Sequence, residues 1–188
     1  MNATLETLLH RTSVKPQFLT DPAPEATELT QILQVATRVS DHGNLHPWRL
    51  DVFRKAAQEK LAEVLLSIWQ KNNPDADAEL TLRKTRFVCA APLMIMVSSR
   101  IQTQTQIPPI EQLLSGAAVC QNMLLAATAL GYSACWLTTW AAHHAEVKAH
   151  LQVREEDEIL GFIFLGTAQQ KGVERERPTL DEIVVWHD

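Results

Sequence analysis

The sequence predicts an α+β fold in which helices outnumber short strands around a central sheet. Apolar residues recur at helical spacing through most of the 188 residues, a few short apolar runs have strand length and composition, and Pro, Gly and Asn separate the two kinds. A single domain spanning residues 1–188 is the expectation for this length.

Leu5, Leu8 and Leu9 set a short first helix that ends near Arg11. Pro16, Pro22 and Pro24 force an extended connection, after which Leu29, Ile32, Leu33 and Ala36 mark a second helix from about Pro24 to Val39. Ser40 to Trp48 is loop, because Gly43 and Asn44 tolerate unusual backbone angles and Pro47 bars helix at His46. Arg49 to Phe53 alternates polar and apolar residues, the pattern of a half-buried strand. Lys55 to Gln70 is an amphipathic helix, Lys71 to Ala78 a mobile polar excursion and Glu79 to Val88 a further helix. Pro92 to Ser98 is an apolar strand buried on both faces, followed by a polar linker, Gln102 to Pro109, that reads as a flap. Ile110 to Leu130 is the longest helix, apolar around most of its circumference; it needs cover on nearly all sides, and a second subunit is a natural cover. Gly131 caps it, Ser133 to Thr138 is a strand, Ala141 to Leu151 one short helix and Ile159 to Thr167 another buried strand. Gly172 to Arg177 is a charged loop, and Leu180 to Trp186 is extended or turn-like.

A formal charge of −5 and the lack of a long Lys/Arg run argue against a general nucleic-acid binder. Cys89, Cys120 and Cys135 are odd in number, far apart and set in apolar sequence, so they read as reduced core residues of a cytoplasmic protein. No charged start precedes an apolar run at the N-terminus, and the stretch Gly116 to Leu130, interrupted by Gln121, Asn122 and Thr128, is too short and too polar to span a bilayer.

His42 and His46 have ligand spacing but lie in a loop, and His143 and His144 are adjacent; a metal site is not expected. Ser115-Gly116 lies inside a helical run, which removes it as a nucleophile elbow, and no Gly-rich phosphate motif occurs. Arg11-Thr12-Ser13-Val14-Lys15 stands out instead. In extended form Arg11, Ser13 and Lys15 point to one side and offer a fork, a hydroxyl and a mobile cation to an anion. The same basic residues would also favour the dipole of the preceding helix with no ligand present. Arg38, His42, Asn44, Trp48, the run Trp136-Leu137-Thr138, Arg175 and Arg177 are the other polar and aromatic groups at segment ends. No acid and base pair suited to hydrolysis stands among them, which points to a cofactor that carries its own reactivity. Trp48 and Trp136 read equally as core aromatics, Thr138 as an ordinary strand residue, and Arg175 and Arg177 as solvated partners of Glu174 and Glu176.

Arg11-Thr12-Ser13-Val14-Lys15 resembles the N-terminal Arg-x-Ser-x-Lys flavin grip of the FMN-dependent nitroreductases. Asn44-Leu45-His46-Pro47-Trp48 is similar to their Asn-x-Gln-Pro-Trp loop, with His46 in place of the usual Gln. Ala118 to Trp136 resembles the long interface helix and the strand after it, Ile159 to Gly166 the penultimate core strand, and Arg175-Glu176-Arg177-Pro178 the basic pair before the C-terminal segment. Compactness and the Asp41-His42 pair are most similar to the small YdjA-type branch. The resemblance implies a nitroreductase-like fold, a central mainly antiparallel sheet flanked by helices, and an intertwined homodimer with FMN at the subunit interface. It implies that Arg11, Arg175 and Arg177 take the FMN phosphate, that Thr12, Ser13 and Lys15 complete the grip, and that Trp136, Leu137 and Thr138 line the ring. Arg38, His42 and Asn44 would reach cofactor bound mainly by the other subunit.

The reaction so implied is hydride transfer from NAD(P)H through flavin N5 to a nitroaromatic, quinone or similar small oxidant, in a ping-pong sequence that needs no protein base. Two rivals stand beside it: a flavin-binding sensor or carrier without turnover, and a dimeric scaffold whose basic residues serve folding only. Steady NAD(P)H oxidation separates the first, and colourless protein would favour the second.

Overall fold

The computed structural model describes residues 2–187. Five strands form one sheet, and every pairing in it is antiparallel. The strands are β1 (Leu19–Thr20), β2 (Trp48–Arg54), β3 (Leu93–Ser99), β4 (Ser133–Leu137) and β5 (Ile159–Ala168). β5 is the hub: β3 pairs along one side of it, β4 and then β1 along the other, and β2 closes the edge beyond β3. The expected α+β class and central antiparallel sheet are therefore what forms.

All seven residues of β3 are buried, as its unbroken apolar run requires. Met94 and Met96 enter a core shared with Leu61, Leu65, Phe162 and Phe164, while Leu93, Ile95 and Val97 enter a second core with Ile32, Val119 and Met123. The alternation sends successive side chains to opposite faces, and helices cover both. On one face lie α3 (Lys55–Asn72), α6 (Trp140–His143) and α7 (Ala145–His150); on the other lie α2 (Ala26–Ala36) and α5 (Pro109–Ala129).

The first helix, α1 (Ala3–His10), is capped by the Asn2 side chain on Thr4 N and ends as expected at Arg11. It has no buried residue, so Leu5, Leu8 and Leu9 stay exposed. At the end of α5, Tyr132 N donates to Ala127 O and Gly131 N to Thr128 O, with Gly131 at φ 85°; this is the Schellman closure that the glycine predicts. Among the described residues no helix is long and apolar enough to cross a membrane.

Four elements differ from the sequence reading. Leu19–Thr20, expected only as extended connection, pairs with Thr167 and Ala168. Ala141 to Leu151 is two helices, not one: His144 is extended (φ −89°, ψ 123°), and the change of direction lets Trp140 donate its indole N–H to Lys84 O while Val147 is buried. The 71–78 excursion is short, because α3 continues to Asn72 and Asp77 caps α4 (Ala78–Thr85) on Leu80 N. Residues 180–183 make one helical turn, α8 (Leu180–Ile183), closed by a Thr179 and Glu182 capping box.

The linker expected as a flap is braced. The buried Gln112 side chain accepts from Gln102 N at 2.7 Å and donates to Gln102 O and Ile107 O, each at 3.1 Å, so one glutamine staples both ends of the 102–107 loop.

Candidate functional site

The sequence-predicted residues fall into two groups. The first gathers around β4. Val14 is buried, and its N–H donates to Ala134 O at 3.3 Å, which lays the 11–15 segment beside the strand. Arg11 follows α1 in extended conformation (φ −62°, ψ 123°), and its Nη1 donates to Ser13 Oγ at 3.4 Å. Lys15 is exposed. The 172–177 loop closes over this segment: Gly172 lies so near Thr12 Oγ1 and Ser13 O that a Cβ there would collide with both.

The thiol of Cys135 registers the local field. Burial pushes it up, and Arg175 and then Arg11 pull it back, so these guanidinium groups act on the same point of β4. Among the described residues no carboxylate pairs with the side-chain cations of Arg11, Lys15 or Arg175, although Glu174 accepts from the Arg175 main-chain N–H at 3.1 Å. Arg177 differs, pairing with Glu174 at 3.2 Å with both side chains exposed. Three cations without counter-ions, beside hydroxyls, suit an anion with several oxygens.

Farther along β4, Trp136 is half-buried. Its Nε1 donates to Leu160 O at 3.0 Å and its ring covers Gly161, where any Cβ would collide with the indole. Its side chain belongs to the core, which leaves its main chain as what it can offer to a ligand. Leu137 is half-buried in the opposite core, and Thr138 is exposed just past the strand.

The second group, Arg38, His42 and Asn44, lies on the segment from the end of α2 to β2, held along α5. Asn122 Nδ2 donates to Val35 O at 3.3 Å and to Arg38 O at 3.0 Å, and Ser115 Oγ donates to Ser40 O at 2.7 Å. Glu111 Oε2 lies 2.6 Å from His42 Nδ1. Asp41 accepts from Asn44 N through its carbonyl and from His46 N through Oδ2. Gly43, Asn44 and His46 all have positive φ, and a Cβ on Gly43 would collide with Ile107. His46 meets the Trp48 ring edge-on at 6.1 Å, and Arg100 N donates to Pro47 O. The loop's backbone is tied at several points, and the side chains of Arg38, His42 and Asn44 are exposed on it.

No hydrogen bond, ion pair or aromatic contact among the described residues joins the two groups. Sequence reading missed the residues that hold the second one. Glu111, Ser115 and Asn122 are spaced i, i+4, i+11, which confines them to about 40° of the circumference of α5. A polar stripe of that kind on an otherwise apolar helix was the available signal.

The sequence profile described as the nitroreductase family matches residues 8–167. A protein of Escherichia coli strain K12, provisionally named NAD(P)H nitroreductase YdjA, is 31% identical over 167 residues, 89% of each chain. A protein of Haemophilus influenzae, with the same provisional name of NAD(P)H nitroreductase, is 30% identical over 164 residues, 87% of this chain and 88% of that one. Among solved structures, a nitroreductase-like family protein from Bacillus cereus superposes with TM-score 0.83 at 21% identity, covering 100% of this chain and 97% of its own. A nitroreductase from Bacteroides fragilis with bound FMN gives TM-score 0.73 at 21% identity, covering 100% of both chains. At that identity the two structures carry the fold.

Proposed function

Because this chain belongs to the nitroreductase family, we propose that it is an FMN-dependent oxidoreductase working between NAD(P)H and a small oxidant such as a nitroaromatic or quinone, in a ping-pong sequence. The observation that supports the cofactor most directly is the set of cations on the 11–15 segment and the 172–177 loop that have no carboxylate partner among the described residues. That donor set fits a phosphorylated ring system whose polar edge gathers negative charge. Bound FMN would supply the hydride acceptor and donor, alternating between the two substrates.

The chain's own residues bind and orient. Arg11 and Arg175 hold the phosphate, Thr12 and Ser13 add hydroxyls, and Lys15 favours negative charge on the pyrimidine side of the ring. Arg177 joins them only on leaving Glu174. Trp136, Leu137 and Thr138 border the ring from the end of β4, Trp136 through its main chain. Arg38, His42 and Asn44 serve the cofactor of a second protomer, which explains why they do not meet the first group within one chain.

Exposed apolar surface supports the homodimer. Leu9 of α1 is 63% exposed, Leu114 of α5 62%, and Trp186 near the C-terminus 80%. Between α1, α2 and α5 runs a groove of about 530 Å³ lined by Leu8, Val35, Leu125 and Leu130. Surface of this kind requires a cover, and a second copy brings a matching set.

An absorbance scan of purified protein tests the reading. A flavin spectrum that bleaches with NADH or NADPH and recovers with a quinone is expected, on a particle of twice the chain mass. Bound flavin that neither nucleotide bleaches would defeat the reductase and leave a carrier; colourless protein that takes up no FMN would defeat both.

A further inference from the structure

We propose that Glu111 is a positioning residue that sets the ring of His42, and that His42 delivers the proton required by the oxidant at the partner protomer's flavin. This rests on the reading above of residues 38–44 as the partner-facing side of the site.

Glu111 Oε2 lies 2.6 Å from His42 Nδ1. An ionised carboxylate can only accept, so Nδ1 carries the hydrogen, and Nε2 is left as the nitrogen that can exchange a proton. The carboxylate lies in the first turn of α5, where the helix dipole favours negative charge. An exposed ion pair of this sort usually contributes little, because two long side chains must be ordered to form it. Here the backbone share of that ordering is already supplied. Asn122 and Ser115 fix the backbone on the N-terminal side of His42, Asp41 fixes Asn44 and His46 on the other, and Ile107 packs against Gly43. The ring keeps little freedom beyond its own torsions, and Glu111 sets those.

Glu111 faces the ring from α5, and the nearby Asp41 side chain is engaged with the His46 amide. The His42 side chain is 67% exposed and Glu111 43%, and Nε2 has no partner among the described residues. A donor held stiffly and left open on a surface is placed to serve a molecule that docks there.

The chemistry has a use for it. Two-electron reduction of a quinone to the hydroquinone takes one hydride and one proton, and reduction of a nitro group to the nitroso compound and water takes the same. The hydride carries both electrons. We assign the proton to Nε2: the N–H bond breaks as an O–H bond forms on the oxidant, the ring is left neutral with Nδ1–H still on Glu111, and solvent returns the proton.

Two measurements test this. Nitrogen-resolved NMR of the flavin-free protein, at a pH about two units above the ordinary histidine value, reads the tautomer of His42 directly. Nδ1–H is expected in the wild type and Nε2–H in Glu111→Ala; an Nε2–H ring in the wild type would overturn the pairing. In the flavin-loaded protein, His42→Ala should lower kcat/KM for the oxidant on the order of a hundredfold, with partial rescue by added imidazole, and Glu111→Ala about tenfold. In Glu111→Ala the rate at which NAD(P)H bleaches the flavin should fall far less than the oxidant rate. Equal oxidant rates in wild type and Glu111→Ala would overturn the positioning role even with flavin bound and turning over. Protein that binds no flavin would bring down the parent reading and the proton step together, while the tautomer reports on the pairing by itself.

Discussion

The two groups of candidate residues are built in opposite ways. Around β4 the backbone is fixed and the charges are left free: Val14 is anchored on Ala134, Gly172 presses against Thr12 and Ser13, and Arg11, Lys15 and Arg175 have no carboxylate partner among the described residues. Along α5 the emphasis shifts to the backbone: Val35 O, Arg38 O, Ser40 O, Asn44 N and His46 N are all tied to partners in their own chain, and His42 Nδ1 faces Glu111, while the Arg38 and Asn44 side chains stay exposed. Unpaired charge is stored affinity for an anion, whereas satisfied groups on a stiff loop supply geometry. On the proposed reading, one region binds and the other aims.

Several substitutions would break or sharpen that contrast. The largest effect is expected at the binding end: Arg11→Ala and Arg175→Ala should each weaken FMN affinity by roughly ten- to a hundredfold, the range for a lost charge-assisted hydrogen bond. Arg177→Ala, whose side chain is already paired with Glu174, should cost less than about threefold, all read by quenching of flavin fluorescence. Equal losses at the three positions would erase the distinction between free and paired cations.

Next in size is Gly43→Ala at the aiming end. With φ at 73° and Ile107 in the way, it should destabilise by about 1–2 kcal/mol in chemical denaturation and slow the oxidant half-reaction.

The thiols give a third comparison. Cys120, in α5, is pushed up to about 12 by burial, while at Cys135 Arg175 and Arg11 oppose the same push. A buried thiol stays protonated in the fold after the unfolded chain has lost its proton, so the unfolded state binds fewer protons and stability falls as pH rises above about 9. The slope for one such thiol is about 1.4 kcal/mol per pH unit. Cys120→Ala should flatten the alkaline fall in denaturation midpoint. In Arg175→Ala the Cys135 thiol should react more slowly with an alkylating reagent, its pKa having risen further.

The smallest effect is expected at the pins. Ser115→Ala and Asn122→Ala should each cost about 1 kcal/mol of stability and weaken FMN binding far less than Arg11→Ala does. A loss of FMN affinity as large as that of Arg11→Ala would mean that the regions are not separable.

Much of this was legible in the sequence because it rests on local rules. The β3 run, the amphipathic α3, the stop at Gly131 and the extended 11–15 segment each follow from spacing or from one special residue. The helix break at His144 was not legible, since neither Gly nor Pro marks it; it follows from where Trp140 and Val147 must pack. β1 escaped because two residues carry no period, and its pairing depends on Thr167 and Ala168 far along the chain. At the site, the cations could be named from the sequence but not sorted. Only the fold shows that Arg177 has a carboxylate beside it and that Glu111 has a histidine.

The staple formed by Gln112 has an evolutionary consequence. Both ends of the 102–107 loop are held by one side chain, so residues 103–106 between them can be rewritten, lengthened or shortened without disturbing α5 or the end of β3. Relatives that accept different oxidants would then diverge in this span, at little risk to foldability, provided a glutamine remains at its foot.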